Sequence, residues 1–146
     1  MKNEAGLDAE IGESVFSGRF VLLHHHFPLA DARKSHWDLM LQQSSNLLTF
    51  QIPTLPAAIS DCQQKLNVLR LSDHRIRYLD YEGPISGDRG YVDRVASGNF
   101  MVEKVPAHDL LFTLDSPSLK ASFRTRIPKQ DATTDLLIDL WETRDS

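Results

Sequence analysis

Short apolar segments, each followed by turn residues, recur along most of the chain. An apolar stretch at residues 20–23 runs into three consecutive histidines and ends at Phe27-Pro28, and two more segments, 36–42 and 47–52, flank a turn at 43–46. Segments of this length bounded by Pro, Ser, Asn or Gly are typical of β-strands, and the last two predict a hairpin. Further strand-like segments lie at residues 68–71, 75–79, 90–92, 98–102, 110–114 and 119–127.

Two other segments have helical character. Residues 57–66, which follow Pro53 and Pro56, predict a short helix, and residues 135–141 fit either a closing strand or a short helix. Many short strands at close spacing favour a barrel or a sandwich. The predicted fold is therefore mainly β, with one or two short helices.

Composition narrows the class of protein. The chain has 146 residues, of which 41% are hydrophobic and 25% charged, as expected for one ordinary globular domain. Residues 1–18 are acidic and weakly patterned and predict a flexible N-terminal tail, so residues 19–146 are expected to form a single domain. A net charge of −4 argues against a charge-driven grip on nucleic acid, but it allows recognition of one phosphate or a strand end.

Two observations bear on the cellular compartment. No apolar run approaches the roughly 20 residues that span a bilayer, and the N-terminus lacks the apolar core of a signal peptide. The one cysteine, Cys62, cannot form an internal disulfide, which is compatible with a reducing compartment. We therefore expect a soluble cytoplasmic protein with no membrane partner.

The segment at residues 36–42 carries a histidine and an aspartate two positions apart. Successive side chains of a strand point to opposite faces, so His36, Asp38 and Met40 share one face and the apolar residues between them share the other. Imidazole and carboxylate together suit divalent metals such as Mn or Zn. On its own, however, so short a pattern is more typical of polar residues at a strand end.

The same alternation divides the histidine run. His24 and His26 are expected on one face of their strand and His25 on the other. At most part of the run can therefore enter one metal site.

Residues 73–78 form a second polar group. In a strand, His74, Ile76 and Tyr78 would share one face, and Arg75 and Arg77 would lie on the other. An imidazole and a phenol that converge can both donate to a phosphate oxygen, and histidine can also transfer a proton. The competing interpretation is a buried tyrosine beside a hydrogen-bonded histidine.

A glycine-rich segment follows at residues 81–90. Its glycines permit tight turns and close backbone approach, and Arg89 can hold a phosphate with two hydrogen bonds. The segment lacks the residue order of a P-loop, and taken alone it is typical of a turn between strands.

In this order, the three segments resemble the 3′-phosphoesterase module of bacterial DNA ligase D, and they are most similar to the small stand-alone proteins of that family. The likeness rests on FVLLHH at residues 20–25, HWDLML at 36–41 and DHRIRYLDYEGPISGDRG at 73–90, and it extends over residues 20–127. The resemblance implies a compact, closed or nearly closed β-barrel with its active site in a groove on one side. Ligase-linked members remove a 3′-terminal ribonucleoside and then a 3′-phosphate from a DNA primer strand.

The resemblance also implies a set of site residues. Family members bind manganese through two histidines and an aspartate, which match His25, His36 and Asp38, and another divalent metal such as Zn fits the same ligands. The family's phosphate pocket matches His74 and Tyr78, the expected catalytic residues, and we expect Arg89 to bind phosphate beside them.

On this basis the sequence predicts a metal-dependent phosphoesterase of DNA repair that removes a 3′-phosphate or a 3′-ribonucleotide. Its expected partner is a nucleic-acid 3′ end or a small phosphoester, and a separate DNA ligase is a further candidate.

The chain departs from the ligase-linked pattern at two places. Met40 stands where that pattern has an arginine, so one anion contact is lost, and Arg75, Arg77 or Arg89 are candidate replacements. The loop between the first two histidine positions is also longer. An alignment without a gap would put the first histidine position on Ala30, and a shifted one would select His24 or His26.

The loss at Met40 leaves two alternatives to an enzyme. One is a non-catalytic module that binds phosphate or a nucleic-acid end after losing turnover. The other is an interaction domain that keeps only the barrel.

Overall fold

Eight of the strands close into one antiparallel barrel in the computed structural model, which describes residues 16–28, 30–56, 63–105 and 109–144. These strands are β1 (Phe16–His26), β2 (His36–Gln42), β3 (Asn46–Ile52), β4 (Gln64–Arg70), β7 (Tyr91–Lys104), β8 (Leu110–Asp115), β9 (Leu119–Thr125) and β10 (Thr133–Thr143). Two very short strands, β5 (His74–Arg75) and β6 (Gly83–Pro84), and a 3₁₀ helix (Ile76–Leu79) lie in the segment between β4 and β7.

Hydrogen bonding closes the barrel completely. Neighbouring strands follow the order β1, β2, β3, β4, β10, β9, β8 and β7, and β7 pairs in turn with β1. Closure leaves these strands with partners on both sides, which removes the exposed edges of an open sheet. The predicted mainly β fold and its closed barrel are therefore confirmed.

Alternate side chains of the barrel strands fill the interior. In β1 and β2 these are Phe20, Leu22, Leu39 and Leu41, each at most 1% exposed. Full burial of each such side chain contributes roughly 1.5–3 kcal/mol to folding. The other large aromatic residues of the interior are Phe50, Phe100, Phe112, Phe123 and Trp141.

A second apolar cluster lies on the outer wall of the barrel. Its members alternate with the interior residues of β1 and β2, and they pack beneath the 3₁₀ helix, which contributes Leu79. The segment at residues 74–90 is thereby held against the outer face of β1 and β2. The other members of the cluster are Val21, Leu23, Met40, Leu47 and Val92.

Of the two alternatives for residues 135–141, the structure has the strand, because these residues belong to β10. Three other local predictions are changed. Residues 76–79, expected as strand, form the 3₁₀ helix. The strands expected at 90–92 and 98–102 are one continuous β7, and residues 64–66 of the expected helix 57–66 belong to β4.

Some predictions reach beyond the described residues. Residues 57–62, the first part of the expected helix, lie outside the described residues. Residues 1–15 of the expected tail also lie outside them, but residues 16–18 are described and pair with β7 as the start of β1. Across the described residues, no helix is long and apolar enough to cross a membrane.

Candidate metal and phosphate site

Two histidines and an aspartate meet on the outer wall of the barrel. β1 and β2 are antiparallel neighbours, and their register pairs His25 with His36 and Leu23 with Asp38. Nδ1 of His25 lies 3.5 Å from Oδ2 of Asp38, and Nε2 of His36 lies 3.3 Å from Oδ1. One ligand atom from each of the three residues lies within 4.8 Å of the others, so the group could hold a metal ion.

Strand alternation separates His25 from its two neighbours, as the sequence predicts. His24 stacks on Trp37 with ring centroids 4.7 Å apart, and Nε2 of His26 lies 2.8 Å from a carboxylate oxygen of Asp93. Burial and the nearby His26 lower the pKa of His24. Of the run, His25 is the histidine that the structure brings to Asp38, and Ala30 offers no side-chain ligand atom.

The hydrogen bonds of the two rings decide which nitrogens face the carboxylate. Nε2 of His25 lies 2.6 Å from the main-chain oxygen of Arg89, and a carbonyl only accepts, so this nitrogen carries the proton. In a neutral ring the lone pair is then on Nδ1, which faces Asp38. Nδ1 of His36 makes a longer contact of 3.4 Å with the main-chain oxygen of Lys34, which turns Nε2 toward the same carboxylate.

Asp38 is the buried anion of this group. It is 3% exposed, and its Oδ1 atom has no hydrogen-bond partner among the described residues. Burial raises the pKa of Asp38, but the contacts with His25 and His36 outweigh burial and lower it overall. The same contact with Asp38 raises the pKa of His25 against the opposing effect of burial.

This arrangement favours a positive charge between the three side chains. Two imidazole lone pairs that face a buried carboxylate repel it unless a proton or a metal ion lies between them. Two imidazole nitrogens and a carboxylate are ligands that Mn and Zn accept, and the carbonyl behind His25 orients that ring as partners of metal-bound histidines commonly do. The residues present therefore fit a divalent metal.

His74 and Tyr78 lie in the same groove as this group. The groove has a volume of about 470 Å³, and its walls include His25, Asp38, His74 and Tyr78. The two rings meet edge to face with centroids 5.8 Å apart. Nδ1 of His74 donates to the main-chain oxygen of Ser72 over 2.9 Å, so Nε2 is the nitrogen available to a ligand.

Three arginines also line the groove, and two of them contradict the predicted pattern. Arg75 and Arg77 were expected on the face opposite His74, but the 3₁₀ turn replaces strand alternation and brings them to the groove. The guanidinium of Arg77 lies 4.8 Å from the ring centre of Tyr81. Arg89 lines the groove too, with Nε bonded to the main-chain oxygen of Ser86 over 2.6 Å.

The sequence did not reveal the main-chain role of the glycine-rich turn. Arg89 contributes its carbonyl to His25, and the next residue, Gly90, has a φ of +86°. A Cβ at Gly90 would lie 2.7 Å from the main-chain oxygen of His26, so a side chain there would displace the turn. The available signal was the glycine itself, although nothing in the sequence indicates which carbonyl it positions.

The loop before β2 is tied to this turn by Arg33, which the sequence did not single out. Its guanidinium bonds Asp31 at distances down to 2.6 Å and the main-chain oxygen of Asp88 over 2.9 Å. It also lies 4.5 Å from the ring centre of Phe27. Arg33 therefore fixes two loops that flank the metal group.

Met40 stands at the position where the ligase-linked pattern has an arginine. Its side chain is 1% exposed, packs in the outer apolar cluster and forms part of the groove wall. It offers no donor to an anion, whereas the three arginines, His74 and Tyr78 are among the groove residues that carry donors.

Comparisons with known proteins give one partial likeness. No family model matches the chain. Over 99 residues, 65% of its length, the chain is 32% identical to the "Multifunctional non-homologous end joining protein LigD" of Mycolicibacterium smegmatis. The chain spans 12% of the length of that protein, and the similarity is consistent with a LigD-related domain.

Proposed function

We propose that this protein is a metal-dependent phosphoesterase that acts on 3′ ends of nucleic acid in DNA repair. The observation that carries the proposal is that two members of the metal group, His25 and Asp38, line the same groove as His74 and Tyr78. The similarity to a non-homologous end joining protein supports strand ends as the substrate class.

His25, His36 and Asp38 would hold the metal, with manganese the proposed ion and zinc the alternative. A bound divalent cation would supply Lewis-acid stabilisation of the negative charge on the phosphoryl oxygens. The burial of Asp38 keeps water from competing for the carboxylate, and the Arg89 carbonyl keeps His25 turned toward it.

The groove residues bind the phosphate and handle the proton. Arg75, Arg77 and Arg89 line the groove and attract the phosphate dianion. On a 3′-phosphate, the proposed reaction breaks the bond between phosphorus and the 3′ oxygen and forms a bond between phosphorus and the oxygen of water. The protons of that water leave on the released phosphate, which returns one of them to His74. His74 is the proposed general acid, because Ser72 holds its Nδ1 and leaves Nε2 to pass a proton to the leaving oxygen. Tyr78 packs on the His74 ring and donates to a phosphate oxygen.

A substrate panel tests this proposal. Purified protein is incubated with manganese and oligonucleotides that end in a 3′-phosphate, a 3′-ribonucleotide or a 2′,3′-cyclic phosphate, and the products are separated on a denaturing gel. We expect 3′-phosphate removal that EDTA abolishes, and loss of this activity in His25→Gln. His24→Gln is the matched control because it changes the adjacent histidine on the opposite strand face. Absence of product from all three substrates, or full activity in His25→Gln, would contradict the proposal.

The buried Met40 favours one second candidate, a module that binds a phosphorylated end without turning it over. In that case the protein retains a 3′-phosphorylated oligonucleotide in the presence of manganese and releases no phosphate. Met40→Arg would then gain phosphatase activity, but its guanidinium would enter an apolar cluster, so a circular dichroism melt must accompany the assay. Robust hydrolysis by the unmodified protein rules this candidate out.

A further inference from the structure

A second groove lies on the other side of the glycine-rich turn from the metal group. It has a volume of about 530 Å³ and is lined by His26, Phe27, Pro84, Ile85, Asp88 and Tyr91 among others; we call it the aromatic groove. Pro84 and Ile85 line both this groove and the one that contains His74, so the two grooves are direct neighbours. Two consecutive residues of β1 line different grooves, because His25 faces the groove of His74 and His26 faces the aromatic groove.

The aromatic groove has the charge opposite to that of its neighbour. Of the described residues, no arginine or lysine lines it, and Asp88 contributes a carboxylate. A phosphate is therefore disfavoured there, whereas the neighbouring groove is lined by three arginines. Aromatic walls without cationic residues suit a neutral, flat group.

One ring in the aromatic groove is available for stacking. Phe27 is already stacked on His25, with ring centroids 4.8 Å apart, and the Arg33 guanidinium lies 4.5 Å from the centre of the Phe27 ring. Its faces are therefore in use. Tyr91, by contrast, is 41% exposed, and its ring is held by His26 at a centroid distance of 5.2 Å. A large aromatic side chain held in place at the end of a barrel strand presents a firm platform with an open face.

We infer that the aromatic groove binds the terminal nucleobase of a strand whose 3′-phosphate occupies the groove of His74 and the metal group, with Tyr91 as the stacking platform. This inference rests on the proposed function and adds a base subsite to it. Because the two grooves adjoin at Pro84 and Ile85, one terminal nucleotide would contact both. The arginines of one groove and the carboxylate of the other would then decide that the phosphate enters the first and the base the second. Stacking on a single ring tolerates any base, so the subsite distinguishes a base from no base without reading sequence.

Equilibrium binding in the presence of manganese tests the subsite. The probes are a DNA trinucleotide that ends in a non-hydrolysable 3′-methylenephosphonate and the same trinucleotide without its terminal base. We expect the wild-type protein to bind the complete probe about tenfold more tightly, and Tyr91→Ala to lose most of that difference. Tyr91→Phe keeps the ring and should keep the preference. Met101→Ala is the control, because Met101 is another exposed apolar residue of β7 and lies outside both grooves.

The outcomes separate this inference from the proposed function. Equal affinity of the wild-type protein for the two probes, no binding of either, or an unchanged preference in Tyr91→Ala would overturn the base subsite. Hydrolysis of 3′-phosphates without base preference contradicts the subsite alone. Base preference without hydrolysis of any phosphorylated end contradicts the phosphoesterase alone.

Discussion

Substitution of Asp38 by asparagine gives a sharp test of the metal group. Asparagine has nearly the same size, so the buried position at the outer wall remains filled. The change removes the one carboxylate of the group, which is 3% exposed and faces both imidazoles. A neutral amide cannot replace a charged ligand, so metal affinity should fall steeply while the barrel persists.

The expected size of the effect follows from linkage. A metal that binds only the folded state adds about 2.7 kcal/mol at a concentration 100 times its Kd. For a chain of 146 residues, this corresponds to a rise in Tm of roughly 10 °C. Asp38→Asn should lose nearly all of this rise.

Differential scanning fluorimetry with increasing manganese measures the effect directly. Asp115→Asn is the matched control, because it removes an exposed carboxylate at the end of β8 and should keep the full manganese-dependent rise. The reasoning is refuted if Asp38→Asn shows the same rise as the wild-type protein. It is also refuted if manganese leaves the wild-type Tm unchanged at concentrations that support activity.

Three further predictions follow from the turn, the loop and the groove. Gly90→Ala should destabilise the protein by more than about 2 kcal/mol in urea titrations, against about 1 kcal/mol for Gly87→Ala, because both have positive φ but only Gly90 also meets backbone; equal losses would contradict this. The hydrogen bonds that Arg33 donates to Asp31 lower the pKa of Asp31 to about 2. An NMR titration should therefore find the Arg33–Asp31 contact intact above about pH 4 and lost as the pH falls through 2, and a pKa near 3.8 would contradict this. His74→Gln should lower kcat about 100-fold or more with unchanged manganese binding, and Tyr78→Phe should have a smaller effect; an unchanged kcat in His74→Gln would exclude it as the acid.

Strand periodicity accounts for the parts of the site that the sequence predicted. A period of two placed His36 and Asp38 on one face and separated His25 from its neighbours, and the antiparallel register of β1 and β2 then brought the three together. The alternation depends on local backbone geometry alone, which is why it could be predicted from the sequence. The choice of His25 rested on the family resemblance, and the register between β1 and β2 became known only with the fold.

The segment between β4 and β7 could not be predicted in the same way. The spacing of His74, Ile76 and Tyr78 is compatible with a strand, but packing of Leu79 onto the outer apolar cluster accompanies a 3₁₀ turn. His74 and Tyr78 still meet in that turn, and Arg75 and Arg77 change faces relative to the prediction. The outcome depends on contacts with residues far away along the chain.

Glycine also misled the sequence interpretation. A separate strand was expected to begin at Gly98, yet this residue lies within the continuous β7, where a Cβ would come within 2.2 Å of the main-chain oxygen of Asp115. Here the glycine permits close contact with a neighbouring strand, and at residue 90 it positions a carbonyl behind His25. The residue type is the same, and only the tertiary structure distinguishes the two roles.

The most direct test of the central claim is a crystal structure of the protein with manganese, with anomalous scattering measured at the manganese edge. We expect one anomalous peak, bonded to Nδ1 of His25, Nε2 of His36 and the Asp38 carboxylate, with Nε2 of His25 still donating to the Arg89 carbonyl. A fully occupied manganese ion elsewhere, or none at these three residues, would contradict the claim that this group is built around a divalent cation.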